Sequence, residues 1–194
     1  MSNEEYKIVL TDCDGVLLDW ETAFHDWMSE HGYELKVDAI YDMSTAYGIE
    51  KAEGKRLIKE FNESAWMGYL KAFRDARSGI AKLYENGYRL HVITSLSLDK
   101  KAKRLRMQNL ENVFGKGVVK KLVCLDTGAD KDEALAEYKD SGLYWIEDKT
   151  ENAECGVKFG LKSILIHHAH NVDCDNDDVI VCEDWSDITD EILG

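Results

Sequence analysis

Short apolar runs alternate along the chain with segments whose apolar residues recur at helical spacing. The runs are Tyr6–Thr11 (YKIVLT), Tyr88–Thr94 (YRLHVIT), Lys121–Leu125 (KLVCL), Leu143–Ile146 (LYWI) and Ser163–Ile166 (SILI), with a further one at Val179–Cys182. Parallel strands buried on both faces read this way. Between them, Ala76–Glu85 places Ile80, Leu83 and Tyr84 on one face and stops at Gly87. Leu98–Leu110 places Leu98, Ala102 and Leu105 on one side. Asp130–Tyr138 and Asp148–Phe159 open with Asp130/Glu133 and Asp148/Glu151, each the spacing of a capping box. Strands alternating with helices predict an α/β fold, a Rossmann-like parallel sheet flanked by helices.

One stretch breaks the alternation. Residues 19–75 carry helix-like patterns alone: Asp19–Glu30, about Asp38–Tyr47, Ile49–Phe61 and Ser64–Phe73. This is too long for a loop. It reads as a helical insert after the first strand, leaving 1–18 and 76–194 as the core. The insert holds ten of the nineteen aromatics (5 Trp, 9 Tyr and 5 Phe in the whole chain). A small insert needs bulky residues for its own core, and one or two of them are expected to face a site and stack on a flat substrate group.

Composition narrows the function classes. The 194 residues suit one domain or a core with an insert. Acidic residues outnumber basic ones by 38 to 24, for a formal charge of −14, which repels phosphate backbones and argues against a broad duplex nucleic-acid face. The run Lys100, Lys101, Lys103, Arg104 and Arg106 reads as a solvated helix face, the alternative being a site for a second phosphate or a nucleic-acid end. Five cysteines without a CxxC pair fit a reduced compartment. No apolar run reaches the ~18 residues of a membrane span, and the start MSNEEYK lacks a leader's apolar stretch. The expectation is a cytoplasmic protein that does not cross a membrane. Nothing in the sequence fixes the oligomeric state.

The candidate chemistry lies at strand ends, where open α/β sheets bind ligands. The first strand runs into Asp12 and Asp14, the second ends in Thr94 and Ser95, Lys131 opens a later helix, and the fourth runs into Glu147 and Asp148. Asp12 and Asp14, two apart, share a face with Cα atoms ~7 Å apart, room for a phosphoryl group between two carboxylates. One carboxylate can attack phosphorus and the other can protonate the leaving oxygen and then activate water. A cation must offset their charge, and Asp12 and Asp148 are hard oxygen donors suited to Mg²⁺. Lys131 opposes the helix dipole unless an anion lies beside it, so it is a candidate phosphate ligand together with Thr94 and Ser95. His167, His168 and His170 match no common zinc spacing and read as a polar loop near the rim.

In order along the chain, IVLTDCDGVLLD, HVITS, DKDEAL and YWIEDKTEN resemble the haloacid-dehalogenase-like (HAD-like) hydrolase superfamily. The resemblance implies that Asp12 is a nucleophile forming an aspartyl phosphate and that Asp14 is the general acid/base, its backbone carbonyl on Mg²⁺. It implies that Thr94 and Lys131 hold the phosphoryl oxygens. It makes Asp148 a metal ligand, with either Glu147 or Asn152 as its partner. Asp14 is the residue that phosphatases of this family have and dehalogenases lack. The insert falls where the family places a small α-helical cap, which implies an enclosed pocket and a small phosphomonoester. The short aromatic cap is similar to that of the 5′(3′)-deoxyribonucleotidases, and WIEDKTENAECGVKFG also resembles part of phage-type polynucleotide 3′-phosphatase domains. The expected activity is a Mg²⁺-dependent phosphomonoesterase acting on a nucleoside monophosphate. Sugar phosphates, polynucleotide ends and a catalytically silent binding module are the alternatives.

Overall fold

The structure is a computed structural model and describes residues 6–38 and 40–194. Met1–Glu5, within the start read for a leader, lie outside the described residues, as does Ala39 in the predicted helix 38–47. The strands are β1 (Lys7–Thr11), β2 (Tyr88–Thr94), β3 (Val119–Cys124), β4 (Tyr144–Glu147), β5 (Lys162–Ile166) and β6 (Ile180–Cys182). They form one six-stranded sheet in the order β3-β2-β1-β4-β5-β6, every pairing parallel. The chain winds outward from β1 through β2 to β3, then returns to lay β4 against the other side of β1. The reversal between β1 and β4 is the place where such sheets open a crevice at their carboxyl ends.

Alternation along each strand explains the layers. Val9, Val92, Ile146 and Ile164 face one way, with Ile80 and Leu83 of α4 (Ala76–Glu85), Leu110 of α5 (Lys100–Phe114) and Ile188 of α8 (Trp185–Leu193). Leu10, Ile93 and Trp145 face the other way, with Leu135 of α6 (Asp132–Ala136) and Cys155 of α7 (Thr150–Lys158).

Between β1 and α4 lie α1 (Trp20–Glu30), α2 (Met43–Tyr47), α3 (Lys51–Asn62) and a single 3-10 turn at Ala65–Gly68. Asp19 caps α1 by accepting from the Thr22 N–H, and Asp42 caps α2 by accepting from the Ser44 N–H. Phe24, Trp27, Tyr47 and Phe61 are buried together here, as a small aromatic core. The helix expected at Ser64–Phe73 does not form beyond its first turn. The Asn109 side chain takes both backbone groups of Leu70, at 2.9 Å each, and Ala72 bridges Leu18 in antiparallel fashion. Backbone groups committed to tertiary partners cannot also close a helix.

Gly156 of α7 packs directly on the sheet. A Cβ there would lie 2.4 Å from Ser163 Oγ and 2.5 Å from Trp145 Cδ1. Gly156→Ala is therefore expected to lower unfolding free energy by about 2 kcal/mol, measured as a lower urea midpoint. An unchanged midpoint would show that this layer has slack.

Candidate active site

Asp12 follows β1, and its backbone N–H donates to the Ile146 carbonyl of β4 at 2.8 Å, which fixes it in the crevice. Its neighbour Cys13 is fully buried, and Asp14 and Gly15 form the turn beyond. Gly15 has φ +73°, and a Cβ on it would lie 2.3 Å from Asp148 Oδ2. Glycine is thus what allows the two acidic strand ends to approach. His168, from the loop after β5, donates from Nε2 to the Gly15 carbonyl at 2.7 Å and stacks on Phe73 at 4.8 Å. Burial pushes the His168 imidazole down to about 4, so it remains the neutral donor.

Lys131 is 2% exposed, with Nζ 2.8 Å from Asp12 Oδ2 and 2.5 Å from Glu147 Oε1. Burial works against its charge, but the two carboxylates outweigh that and hold its pKa above the ordinary lysine value. The capping box expected at Asp130/Glu133 is absent: Lys131 itself is the N-cap residue, without a side-chain cap bond, and its chain turns inward to the carboxylates. The second expected box is absent too. Thr150 opens α7, and no side chain caps its Lys149 N-cap residue. Glu147 Oε2 instead accepts from the N–H groups of Asp148 and Lys149 at 2.8 and 2.9 Å. Its Oε1 accepts from Lys131 Nζ and, at 2.7 Å, from Asn152 Nδ2. Four donors occupy Glu147, and Asp148 is freed to face the crevice.

The charges do not balance. Asp12, Glu147 and Asp148 bring carboxylate oxygens within 4.8 Å of one another. Lys131 serves two of the three, and Asp12 Oδ1 is buried with no hydrogen-bond partner. Burial raises the Glu147 carboxyl, yet Lys131 and the backbone N–H donors prevail and hold it below its usual range. Burial first, then the neighbouring Glu147 and Asp14 charges, push Asp12 up to about 7 despite Lys131. Burial and the Glu147 and Asp12 charges likewise raise Asp148 well above the ordinary carboxylate value. An orphaned oxygen and clustered hard donors at one point fit a divalent cation such as Mg²⁺.

Asp14 has a different partner. Arg106, from α5, is fully buried and grips both Asp14 oxygens; the Nη2–Oδ2 distance is 3.2 Å, and Nη1 bonds Oδ1. Nη1 also reaches Cys13 Sγ at 2.8 Å and Nη2 reaches Met67 Sδ at 3.1 Å. The solvated reading of the basic run thus fails at Arg106. Lys100, Lys101, Lys103 and Arg104 of that run are exposed or half-buried, whereas α5 points Arg106 at the site. The run's composition concealed it; its helical phase, two residues beyond the exposed Arg104 and four beyond the buried Ala102, was the available signal.

Asp12, Asp14, Thr94, Ser95, Lys131, Asp148 and Asn152 line one cavity of about 680 Å³, and Glu147 lies beneath it. Ser95 Oγ donates to the Ala129 carbonyl at 2.7 Å and ties the β2 end to the loop before Lys131. The segment 19–75 supplies the opposite wall, through Trp20, Tyr41, Lys51, Lys55, Lys59 and Asn62 among others. Trp20 stacks on Phe24 at 4.7 Å and donates from Nε1 to Asn62 Oδ1 at 2.9 Å, while Asn62 donates to the Leu96 carbonyl beyond β2. His168 and His170 also line the cavity, nearer the site than a rim loop implies.

No family model matches the chain. An uncharacterised 32.4 kDa protein of the Gp30-rIII intergenic region of enterobacteria phage T4 is 26% identical over 156 residues, 75% of this chain and 55% of that protein. The chain spans little more than half the length of that relative. Solved structures superpose over nearly its whole length. A haloacid dehalogenase-like hydrolase from Streptococcus pneumoniae has a TM-score of 0.67 at 13% identity, covering 97% of each chain. CbbY from Rhodobacter sphaeroides, solved with phosphate, has a TM-score of 0.61 at 17% identity, covering 95% of this chain and 96% of that one. A HAD-superfamily hydrolase from Ehrlichia chaffeensis has a TM-score of 0.57 at 15% identity, covering 99% of this chain and 98% of that one. The fold is that of the HAD-like hydrolases. Among the described residues, no helix is long and apolar enough to cross a membrane.

Because Arg106 is buried against a carboxylate, Arg106→Met is expected to cost about 3 kcal/mol by leaving Asp14 unpaired. Arg106→Met with Asp14→Asn is expected to recover part of that loss. A double variant no more stable than the single, by urea unfolding, would show that Arg106 acts through packing and not through the ion pair.

Proposed function

We propose that the protein is a Mg²⁺-dependent phosphomonoesterase acting on a small phosphorylated metabolite through an aspartyl phosphate, with a nucleoside monophosphate as the substrate. The observation that carries this reading is the charge imbalance at the crevice: two buried carboxylates and a half-buried one, one shared ammonium, and an orphaned Asp12 oxygen in a cavity that Thr94 also lines. A divalent cation offsets that excess negative charge, and a phosphoryl group can then enter the same cavity.

Asp12, Asp148 and the Asp14 backbone carbonyl would hold the cation, with Asn152 near Asp148. When bound, Mg²⁺ supplies positive charge that offsets the phosphoryl oxygens. Glu147, fully occupied by its four donors, supports Lys131 and Asn152 instead of serving as a ligand. Lys131 and Thr94, with Ser95 behind them, orient the phosphoryl oxygens. An Asp12 oxygen attacks phosphorus, forming a P–O bond as the bond to the leaving oxygen breaks. Asp14, ion-paired with Arg106, takes up a proton from solvent and gives it to that oxygen, then takes one from a water that attacks the phosphoryl group and frees Asp12. Arg106 fixes the direction from which Asp14 acts.

We further assign residues 19–75 as a cap that closes the cavity, excludes water and selects the leaving group. Trp20 and Tyr41 in its wall support a nucleotide, since an aromatic ring beside the cavity can stack on a base. The volume of about 680 Å³ is within the range of small-molecule sites.

Two measurements test the reading. Purified protein with Mg²⁺ is expected to release phosphate from nucleoside monophosphates and p-nitrophenyl phosphate, and EDTA is expected to stop it. Asp12→Asn is expected to lower turnover at least ~10³-fold with folding intact by circular dichroism, a loss comparable to removing other catalytic groups. Retained turnover in that variant would remove Asp12 as nucleophile. The second concerns stability. The metal-free fold keeps the Asp12 proton up to about 7, against 3.8 for an ordinary aspartate. Over that window the folded state binds more protons than the unfolded, so metal-free stability falls as pH rises. Mg²⁺ binds the ionised form, and its increase in Tm is expected to be larger at about pH 8 than at about pH 5. An equal or reversed increase would place the cation elsewhere.

A further inference from the structure

On one helix of the cavity wall, three exposed lysines line the cavity, and two of them have no ion-pair partner among the described residues. Lys51, Lys55 and Lys59 of α3 all line the cavity. Their spacing of four puts them on one face, spanning ~12 Å along the helix. Gly54, Ile58 and Asn62 belong to the same face and line the cavity too. On the opposite side of α3, Arg56 is held by Glu53 and Glu60 at 2.8 and 2.7 Å. Among the described residues, Lys51 and Lys55 form no ion pair, and Lys59 lies 4.0 Å from Glu63. This occurs in a chain of net charge −14, where acidic partners are abundant.

The acids of the same wall are committed elsewhere. Asp19 caps α1, Asp42 caps α2, and Glu21 lies 3.7 Å from His25. The inner end of the lysine face is anchored to the core: Asn62 bonds the Leu96 carbonyl, and Glu63 accepts from Ser97 Oγ at 2.8 Å. The stripe therefore leads along the cavity wall away from the β2 end that carries Thr94.

We propose that Lys51, Lys55 and Lys59 form a second anion subsite, so that the preferred substrate carries a second phosphate on its leaving group. This rests on the phosphatase reading above and adds the substrate class: a nucleoside bisphosphate, or the phosphorylated end of a short single strand, both of which place a second phosphate one nucleotide unit from the first. Trp20 and Tyr41 line the same cavity and offer rings on which a base can stack.

The test uses the full chain as Asp12→Asn with Mg²⁺ and calorimetric titration of deoxyadenosine 3′,5′-bisphosphate and of each monophosphate. The bisphosphate is expected to bind at least ~10-fold tighter near 0.05 M salt, with the advantage shrinking near 0.5 M as screening requires. Adding Lys55→Gln and Lys59→Gln is expected to bring the ratio below ~2, whereas Lys101→Gln, on exposed α5 surface, is expected to retain it. Wild-type kcat/KM ratios for the same pair give a second readout that does not depend on Asp12→Asn folding. A 3′-phosphorylated dinucleotide preferred over the bisphosphate would identify a strand end as the source. Equal affinities, or a ratio unmoved by the lysine changes, overturn the subsite, and turnover of p-nitrophenyl phosphate then shows that the phosphatase reading survives. Loss of turnover on every ester overturns both.

Discussion

Everything at the carboxyl edge of the sheet is arranged around one ammonium group shared by two buried carboxylates. Lys131 lies between Asp12 and Glu147, and both it and Glu147 are buried. A buried ion pair gains little over an apolar pair of the same shape, because desolvation offsets the attraction. Three carboxylates around one cation are worse than neutral. Burial first, and then the neighbouring carboxylates, raise the Asp12 and Asp148 carboxyls, so the arrangement favours a further positive charge.

The crevice is supported from several directions by groups with no direct chemistry. Glu147 fixes Lys131, Asn152 and the turn into α7. Trp145, on the same face of β4 as Glu147, places its ring 5.3 Å from Lys131 Nζ and donates to the Asn152 carbonyl at 3.0 Å. His168 braces Gly15. Arg106 couples Asp14 to Met67 of the segment that forms the opposite wall. A change in that segment thus has a direct route to Asp14.

Much of this was legible in the chain because its signals are local. The β2 and α4 bounds follow from periodicity alone, and the other strands differ from the predicted runs by one or two residues at their ends. The strand-end acids, Thr94 and Lys131 were visible as polar residues where apolar runs stop. What escaped depends on tertiary competition. Asp148 and Asp130 looked like helix caps, but Glu147 and Lys131 were recruited by each other. Residues 64–73 had helical spacing, but Asn109 and Leu18 claimed their backbone. Arg106 sat unmarked in a basic run, since nothing in local composition distinguishes a lysine that meets water from an arginine that meets a carboxylate 92 residues away in sequence.

The antiparallel contact between Leu18 and Ala72, continued by Asp19 N–H to the Lys71 carbonyl and Phe73 N–H to the Leu17 carbonyl, also shapes how the chain assembles. The first pairing of the sheet joins Lys7 to Tyr88, so a long intervening loop must close before β1 and β2 can align. Loop-closure entropy rises with loop length, and pairings distant in sequence slow folding. Once the two ends of the helical segment zip together at this contact, the helices hang outside the loop that remains to be closed. The β1–β2 search then runs over the turn after β1 and over α4 with its flanking residues, and the topology becomes more local than residue numbers suggest.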